Sequence, residues 1–259
     1  MSTIVSVKNA SVFIKRNQAL DNINWDVQAG EQWFILGLNG SGKSTLMNLV
    51  MGYLRARLGG EVNVLGYEYG KCVMQEVRQH IGWISAHLQD WTYKDSKVIY
   101  VVCSGLDSTI GLYRDVRPEE EDEAMDLLEE LGIADLCDRQ FADLSSGEQM
   151  KVLIARMRIA KPDILVLDEP CSHLDIQSRE EFLTIIRELC QQENPPLVLF
   201  VTHRIDDIIP ELSHGLILRD GKIIANGLKE DILNEENIQD AFKVPVKIQE
   251  SAGRYWPFL

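Results

Sequence analysis

No apolar stretch of this sequence comes near the roughly 20 residues that a bilayer-crossing helix needs. The longest, such as Val98 to Cys103 and Leu197 to Val201, hold six and five residues, so any membrane role has to come through a partner. Basic residues are scarce too: 26 Lys and Arg stand against 40 Asp and Glu, a net charge of -14. Polyanions and anionic membrane surfaces recruit Lys and Arg, so a general nucleic-acid coat is excluded and nucleic acid is disfavoured as a partner. The five cysteines, Cys72, Cys103, Cys137, Cys171 and Cys190, are odd in number, scattered and never spaced CxxC. That pattern speaks against a disulfide framework or a zinc site and for reduced, structural thiols. Met1 to Ala10 shows no basic segment leading into an apolar run, so no secretory signal is read and a cytoplasmic chain is expected. There is no internal repeat.

What is present is an alternation of short β-branched runs with amphipathic helical stretches. This is the pattern of an α/β protein with a mainly parallel sheet. Strands are expected at Gln32 to Leu36, Gly82 to Ser85, Ile164 to Asp168 and Leu197 to Thr202, each bounded by polar or breaking residues. A helix is expected over Lys43 to Leu54, with Leu46, Leu49, Val50 and Tyr53 on one face. Ile4 to Ile14 adds antiparallel strands, and Asp220-Gly221, between two alternating runs, signals a tight hairpin. From about Trp91 to Lys161 the character turns helical, which is read as a helical subdomain at about 92–161. Its acidic run, Glu119 to Glu123, is read as a solvated first helical turn favoured by the helix dipole. Residues 1–229 form the main domain; 230–259 form a C-terminal extension whose Tyr255 and Trp256 are expected to pack on the core.

Gly37-Leu38-Asn39-Gly40-Ser41-Gly42-Lys43-Ser44 fits the pattern GxxxxGK[ST] between a strand and a helix. Glycines there let backbone N–H groups close around phosphate oxygens, which larger side chains would block. The helix N-terminus points its positive end at the phosphates, Lys43 reaches the terminal ones, and the Ser44 hydroxyl, followed by Thr45, is placed to ligate magnesium. A second apolar strand, Ile164 to Leu167, delivers Asp168 and Glu169 to its C-terminal edge, where ligands bind in open α/β sheets. Asp168 suits magnesium and Glu169 suits a general base acting on water. A nucleotide and Mg2+ are thus the expected ligands. These two motifs define a phosphate-loop nucleotide hydrolase without choosing among its branches.

A third motif chooses. Leu144-Ser145-Ser146-Gly147-Glu148-Gln149, shortly before the carboxylate strand and at the start of a helical pattern, resembles the LSGGQ signature of ABC ATPases. Ser172-His173-Leu174-Asp175 resembles the D-loop of that family, and His203 in Val201-Thr202-His203-Arg204 resembles its switch histidine. Phe13 resembles the aromatic that stacks on adenine. The resemblance runs from about Ile4 to Gly227. It implies a RecA-like phosphate-loop core with an antiparallel β subdomain and an inserted α-helical subdomain. It also implies a homodimer in which Gly37, Asn39, Gly40, Ser41, Gly42, Lys43, Ser44 and Thr45 of one copy face Ser145, Gly147 and Asp175 of the other across ATP. His203 then contacts the γ-phosphate.

One position departs from the family pattern. Transporter subunits carry a glutamine after a strand like Ile81 to Ser85; here Ala86 stands there, and alanine can neither ligate a metal nor accept a hydrogen bond. Gln89 is the next amide and the candidate substitute at the metal. The segments His80 to Ser85 and Ser104 to Tyr113, with Trp33, resemble ModF-type ATP-binding proteins at half their size. Two functional readings therefore stand. In one the chain powers a separate transmembrane permease subunit from the cytoplasmic face of the inner membrane. In the other it is a soluble, ModF-like ATPase acting in the cytosol without a transmembrane partner.

Overall fold

The computed structural model describes residues 2–85, 95–107 and 111–258. It opens with β1 (Thr3–Ile14), β2 (Asn17–Gln28) and β3 (Trp33–Leu36), then α1 (Lys43–Val50), β4 (Glu61–Val64), β5 (Tyr67–Glu68), α2 (Met74–Gln79) and β6 (Ile81–Ser85). Helices α3 (Val98–Cys103), α4 (Pro118–Glu130) and α5 (Ser146–Ile159) precede β7 (Ile164–Asp168) and α6 (Ile176–Cys190). The chain continues through β8 (Leu197–Thr202), β9 (His214–Arg219), β10 (Lys222–Leu228), α7 (Lys229–Ile232) and α8 (Glu235–Phe242) to β11 (Lys247–Ser251) and β12 (Arg254–Phe258). Two compact units emerge: Met1–Arg78 with Arg187–Leu259, and Gln79–Ile186.

In the first unit β3 lies between β8 and β9, parallel to both, while β10 returns antiparallel to β9. All four residues of β3 and all six of β8 are buried. Such runs lack polar alternation because strands of this kind are covered on both faces. The β9–β10 hairpin turns on Asp220 and Gly221, with φ of 50° and 76°. Two consecutive left-handed residues are what a two-residue hairpin of matching twist requires. A separate antiparallel sheet, in the order β2-β1-β4-β5, supplies the expected N-terminal β element.

The second unit pairs β6 with β7 in parallel, with Ser85 opposite Asp168. Its helices α3, α4 and α5 bury Val98, Val101 and Val102, Ala124 and Leu128, and Val152, Leu153 and Ala155. Gly105 is needed where the turn after α3 meets α5, since a Cβ there would lie 2.0 Å from the carbonyl oxygen of Arg156. An α/β fold with parallel ladders, an antiparallel sheet and a helical group is thus as expected.

Two local expectations need correction. The helix after the phosphate loop ends at Val50 instead of Leu54, and Tyr53 is exposed. Gly52, at φ 71°, takes the left-handed conformation and its N–H closes onto the carbonyl of Leu49, stopping the helix. The acidic run does begin α4, but Glu120 within it is buried, not solvated. It accepts from Arg114 at 2.7 Å and from Arg117 at 2.5 Å, and also from the Arg117 backbone N–H. These donors, Arg114 first, hold its carboxyl down to about 2. In the tail, Tyr255 and Trp256 are half-buried on β12, which pairs with β11 as a hairpin. There Arg254 sits 5.1 Å over the Trp256 ring and donates to the carbonyl oxygen of Asp206.

Candidate nucleotide site

The first unit carries the phosphate loop. Chain geometry dictates its glycines: a Cβ on Gly37 would lie 2.3 Å from the carbonyl oxygen of Leu218, and Gly42, at φ 107°, would place one 2.9 Å from Ala19 and Leu20. Gly40, at φ 80°, faces open space, so only its backbone conformation asks for glycine. Asn39 and Ser44 are exposed and Thr45 is half-buried at the start of α1. Lys43 is 4% exposed, and its ammonium donates to the carbonyls of Gly37 at 2.8 Å and Leu38 at 3.0 Å. The loop therefore folds around its own cation.

The Ser41 hydroxyl is buried within this loop with no hydrogen-bond partner among the described residues. A buried donor left in that state costs about 1–3 kcal/mol, and an incoming phosphate oxygen satisfies it. This, with the Lys43 ammonium and the α1 N-terminus, fits a nucleotide phosphate chain. Leu36 is in register with Thr202, so the phosphate loop and His203 leave neighbouring strands at the same edge. Thr202 donates to the buried carboxylate of Asp207 at 2.8 Å and accepts from the Arg204 N–H at 3.0 Å, which fixes the turn that carries His203. Phe13 lies on β1 with 42% of its surface exposed. Nearby, a cleft of about 690 Å³ is lined by Arg55, Arg57 and Arg78 without any carboxylate, a local basic lining in an acidic chain.

The second unit carries the carboxylates and the signature. Asp168 closes β7, and Glu169 follows with φ 51°, a conformation that costs a non-glycine residue about 1 kcal/mol or more and recurs at functional sites. Ser145 caps α5: its backbone N–H donates to Glu148 at 2.8 Å and its hydroxyl donates to the same carboxylate at 2.7 Å. That hydroxyl, more than the backbone N–H, pulls the Glu148 pKa down. Gly147 sits where a Cβ would lie 2.6 Å from the Ser178 hydroxyl. Asp175 accepts from the Ser178 N–H at 2.8 Å, capping α6, and this bond leads the lowering of its pKa. Signature and D-loop segments are thereby joined through Ser178.

Ala86 and Gln89 lie outside the described residues. Among the described residues no group of three or more His, Cys, Asp or Glu could enclose a metal. Magnesium needs no such cage, being held by one or two protein oxygens together with substrate phosphates, and Ser44 and Asp168 are groups of that kind. No sequence motif marks Ser178; Glu148 lies in the signature-like hexapeptide, where Ser145-x-x-Glu148 is a legible capping-box pattern.

The ABC transporter family model matches residues 20–172. The chain belongs to the ABC transporter ATP-binding family. This ABC ATPase is 36% identical over 252 residues to the uncharacterised ABC transporter ATP-binding protein YlmA of Bacillus subtilis (strain 168), covering 96% of this chain and 94% of YlmA. Likeness to ModF of Escherichia coli (strain K12) is more distant, 31% over 214 residues, covering 82% of this chain and 44% of ModF. In structure the ABC ATPase is similar to an inward-facing putative metal-chelate type ABC transporter, with a TM-score of 0.78 and 25% identity, covering 99% of this chain and 96% of the other. Among the described residues no helix is long and apolar enough to cross a membrane.

Proposed function

We propose that this ATPase works as a homodimer that closes around two ATP molecules and drives a separate transmembrane permease subunit. The observation that carries the reading is the phosphate loop wrapped on buried Lys43, with a Ser41 hydroxyl in it that has no partner among the described residues. In the closed dimer, Gly37 to Thr45 of one copy oppose Ser145, Gly147 and Asp175 of the other. The small residues at the α5 N-terminus suit contact with a terminal phosphate. Ser44 and Asp168 would hold magnesium, which would offset phosphate charge; Gln89, the candidate substitute for the missing glutamine, lies outside the described residues. Glu169 takes a proton from the attacking water, His203 contacts the γ-phosphate, and Phe13 stacks on the base. The chain sits in the cytoplasm, peripheral to the inner membrane through its partner. Its domains are read as an ATPase domain at 1–229, with a helical subdomain at about 92–161, and an extension at 230–259.

The transport branch draws on YlmA, whose name makes it an ABC transporter ATP-binding protein and which matches along almost its whole length. Ala86 favours a second reading, a cytosolic ModF-like ATPase acting on a soluble partner. Affinity purification from native-level expression, with and without ATP, separates the two. Recovery with one polytopic membrane protein supports the permease. Recovery from cytosol alone, as a homodimer or with soluble proteins, overturns it in favour of the second.

A further inference from the structure

The ring of Phe13 is not a bare surface: the Arg57 guanidinium lies over it, 5.3 Å from the ring centroid. Arg57 is brought there by its backbone, whose N–H donates to the carbonyl of Ser11 at 2.7 Å, two residues before Phe13 on β1. The β1–β2 hairpin that carries Phe13 also touches the phosphate loop. Phe13 pairs with Gln18 across the β1–β2 hairpin, and the next residue, Ala19, has its carbonyl oxygen 2.9 Å from where a Gly42 Cβ would stand. In a chain of net charge -14, Arg57 takes no carboxylate among the described residues and rests on an aromatic face instead. With 42% of its surface still exposed, Phe13 keeps room for a second planar group.

We propose that Arg57 is a positioning residue for the nucleoside: its guanidinium covers one face of the Phe13 ring and leaves the other for a purine base. This rests on the reading of Phe13 as the base-stacking residue. A planar guanidinium stacks on an aromatic face as an ammonium cannot. An exposed phenylalanine loses rotamer freedom when a base lands on it, so a ring already held in place binds more tightly than a mobile one. Arg57 thus acts on the base end of the nucleotide, through Phe13, and not on the phosphates.

Binding of ATP and of tripolyphosphate, each with magnesium, is measured by calorimetry for the full chain and for Arg57→Ala, Arg57→Lys, Phe13→Ala and the Arg57→Ala/Phe13→Ala double variant. Thermal unfolding without ligand checks that each is folded. Arg57→Ala is expected to weaken ATP by about three- to tenfold, the range of one pre-ordered side chain, while tripolyphosphate changes less than about twofold. Arg57→Lys stays weakened, and the double variant binds ATP no worse than Phe13→Ala. Equal losses on ATP and tripolyphosphate overturn the proposal by making Arg57 a phosphate contact. Tighter ATP binding by Arg57→Ala overturns it by placing the guanidinium where the base belongs. Unchanged ATP binding by Arg57→Ala beside a weakened Phe13→Ala defeats the role of Arg57 alone; unchanged binding by Phe13→Ala defeats the base-stacking reading and the inference with it.

Discussion

The Lys43 ammonium donates to the carbonyl oxygen of Gly37 at 2.8 Å, from within the loop that these two residues close. With the second bond to Leu38 at 3.0 Å, the cation is held in place before any phosphate arrives. Hydrogen bonds to a charged group contribute about 1.5–3 kcal/mol each. Losing one such contact to the nucleotide corresponds to roughly 10- to 100-fold in affinity. Lys43→Ala is therefore expected to weaken ATP by about that factor, checked by calorimetry; affinity within twofold of the parent would contradict the role of Lys43.

Gly42 and Gly40 both have positive φ, but only Gly42 is hemmed in. Gly40→Ala should cost about 1–2 kcal/mol from backbone strain alone. Gly42→Ala adds a clash with the carbonyl oxygen of Ala19, which cannot swing away as a side-chain end can, so it should be the more destabilising of the two and should abolish ATP binding. Denaturant unfolding and ATP titration of both variants decide; equal effects would mean that the β2 contact does not shape the loop.

Glu120 gives a pH-dependent signature. Its carboxyl is held at about 2 against an ordinary 4.5. A lowered folded-state pKa means stability that is present above about 4.5 and lost as pH falls towards about 2. Glu120→Gln should lower the unfolding midpoint at pH 7, with the gap to the parent shrinking as pH is brought from 4.5 to 2. A gap independent of pH would show that the Arg114 and Arg117 ion pairs are not its source.

Ser145 closes its cap onto Glu148 within the signature segment. Ser145→Ala should cost about 0.5–2 kcal/mol of stability by removing the cap, and Ser145→Asn, a neutral cap whose amide can still donate to Glu148, should recover part of that. Because the proposed dimer also uses Ser145 against ATP of the other copy, neither variant should recover ATP-dependent dimerisation. Restored stability together with restored dimerisation would reduce Ser145 to a cap.

Much of the fold was legible because its decisive elements are local. The buried runs Trp33–Leu36 and Leu197–Thr202 announce covered parallel strands, and Asp220-Gly221 announces its own turn, since few other residue pairs accept positive φ twice. The end of α1 was misjudged because apolar periodicity runs on through Tyr53, whereas Gly52 stops the helix by backbone conformation. Glu120 was misread because its burial depends on Arg114 and Arg117 folding back over it. At the site, the residue types of the phosphate loop could be read from spacing. The Ser178 contact at Gly147 and the Arg57 cover on Phe13 could not, because they join segments that share no motif.

The most direct test of the central claim is the oligomeric state of Glu169→Gln with and without ATP, measured by light scattering in line with gel filtration. Removing the base should slow hydrolysis by about 100-fold or more while leaving ATP binding intact, so the variant should be trapped as a dimer with ATP and return to monomer when nucleotide is withdrawn. A variant that stays monomeric in saturating ATP and turns over at the parent's rate would contradict both the shared site and the role of Glu169.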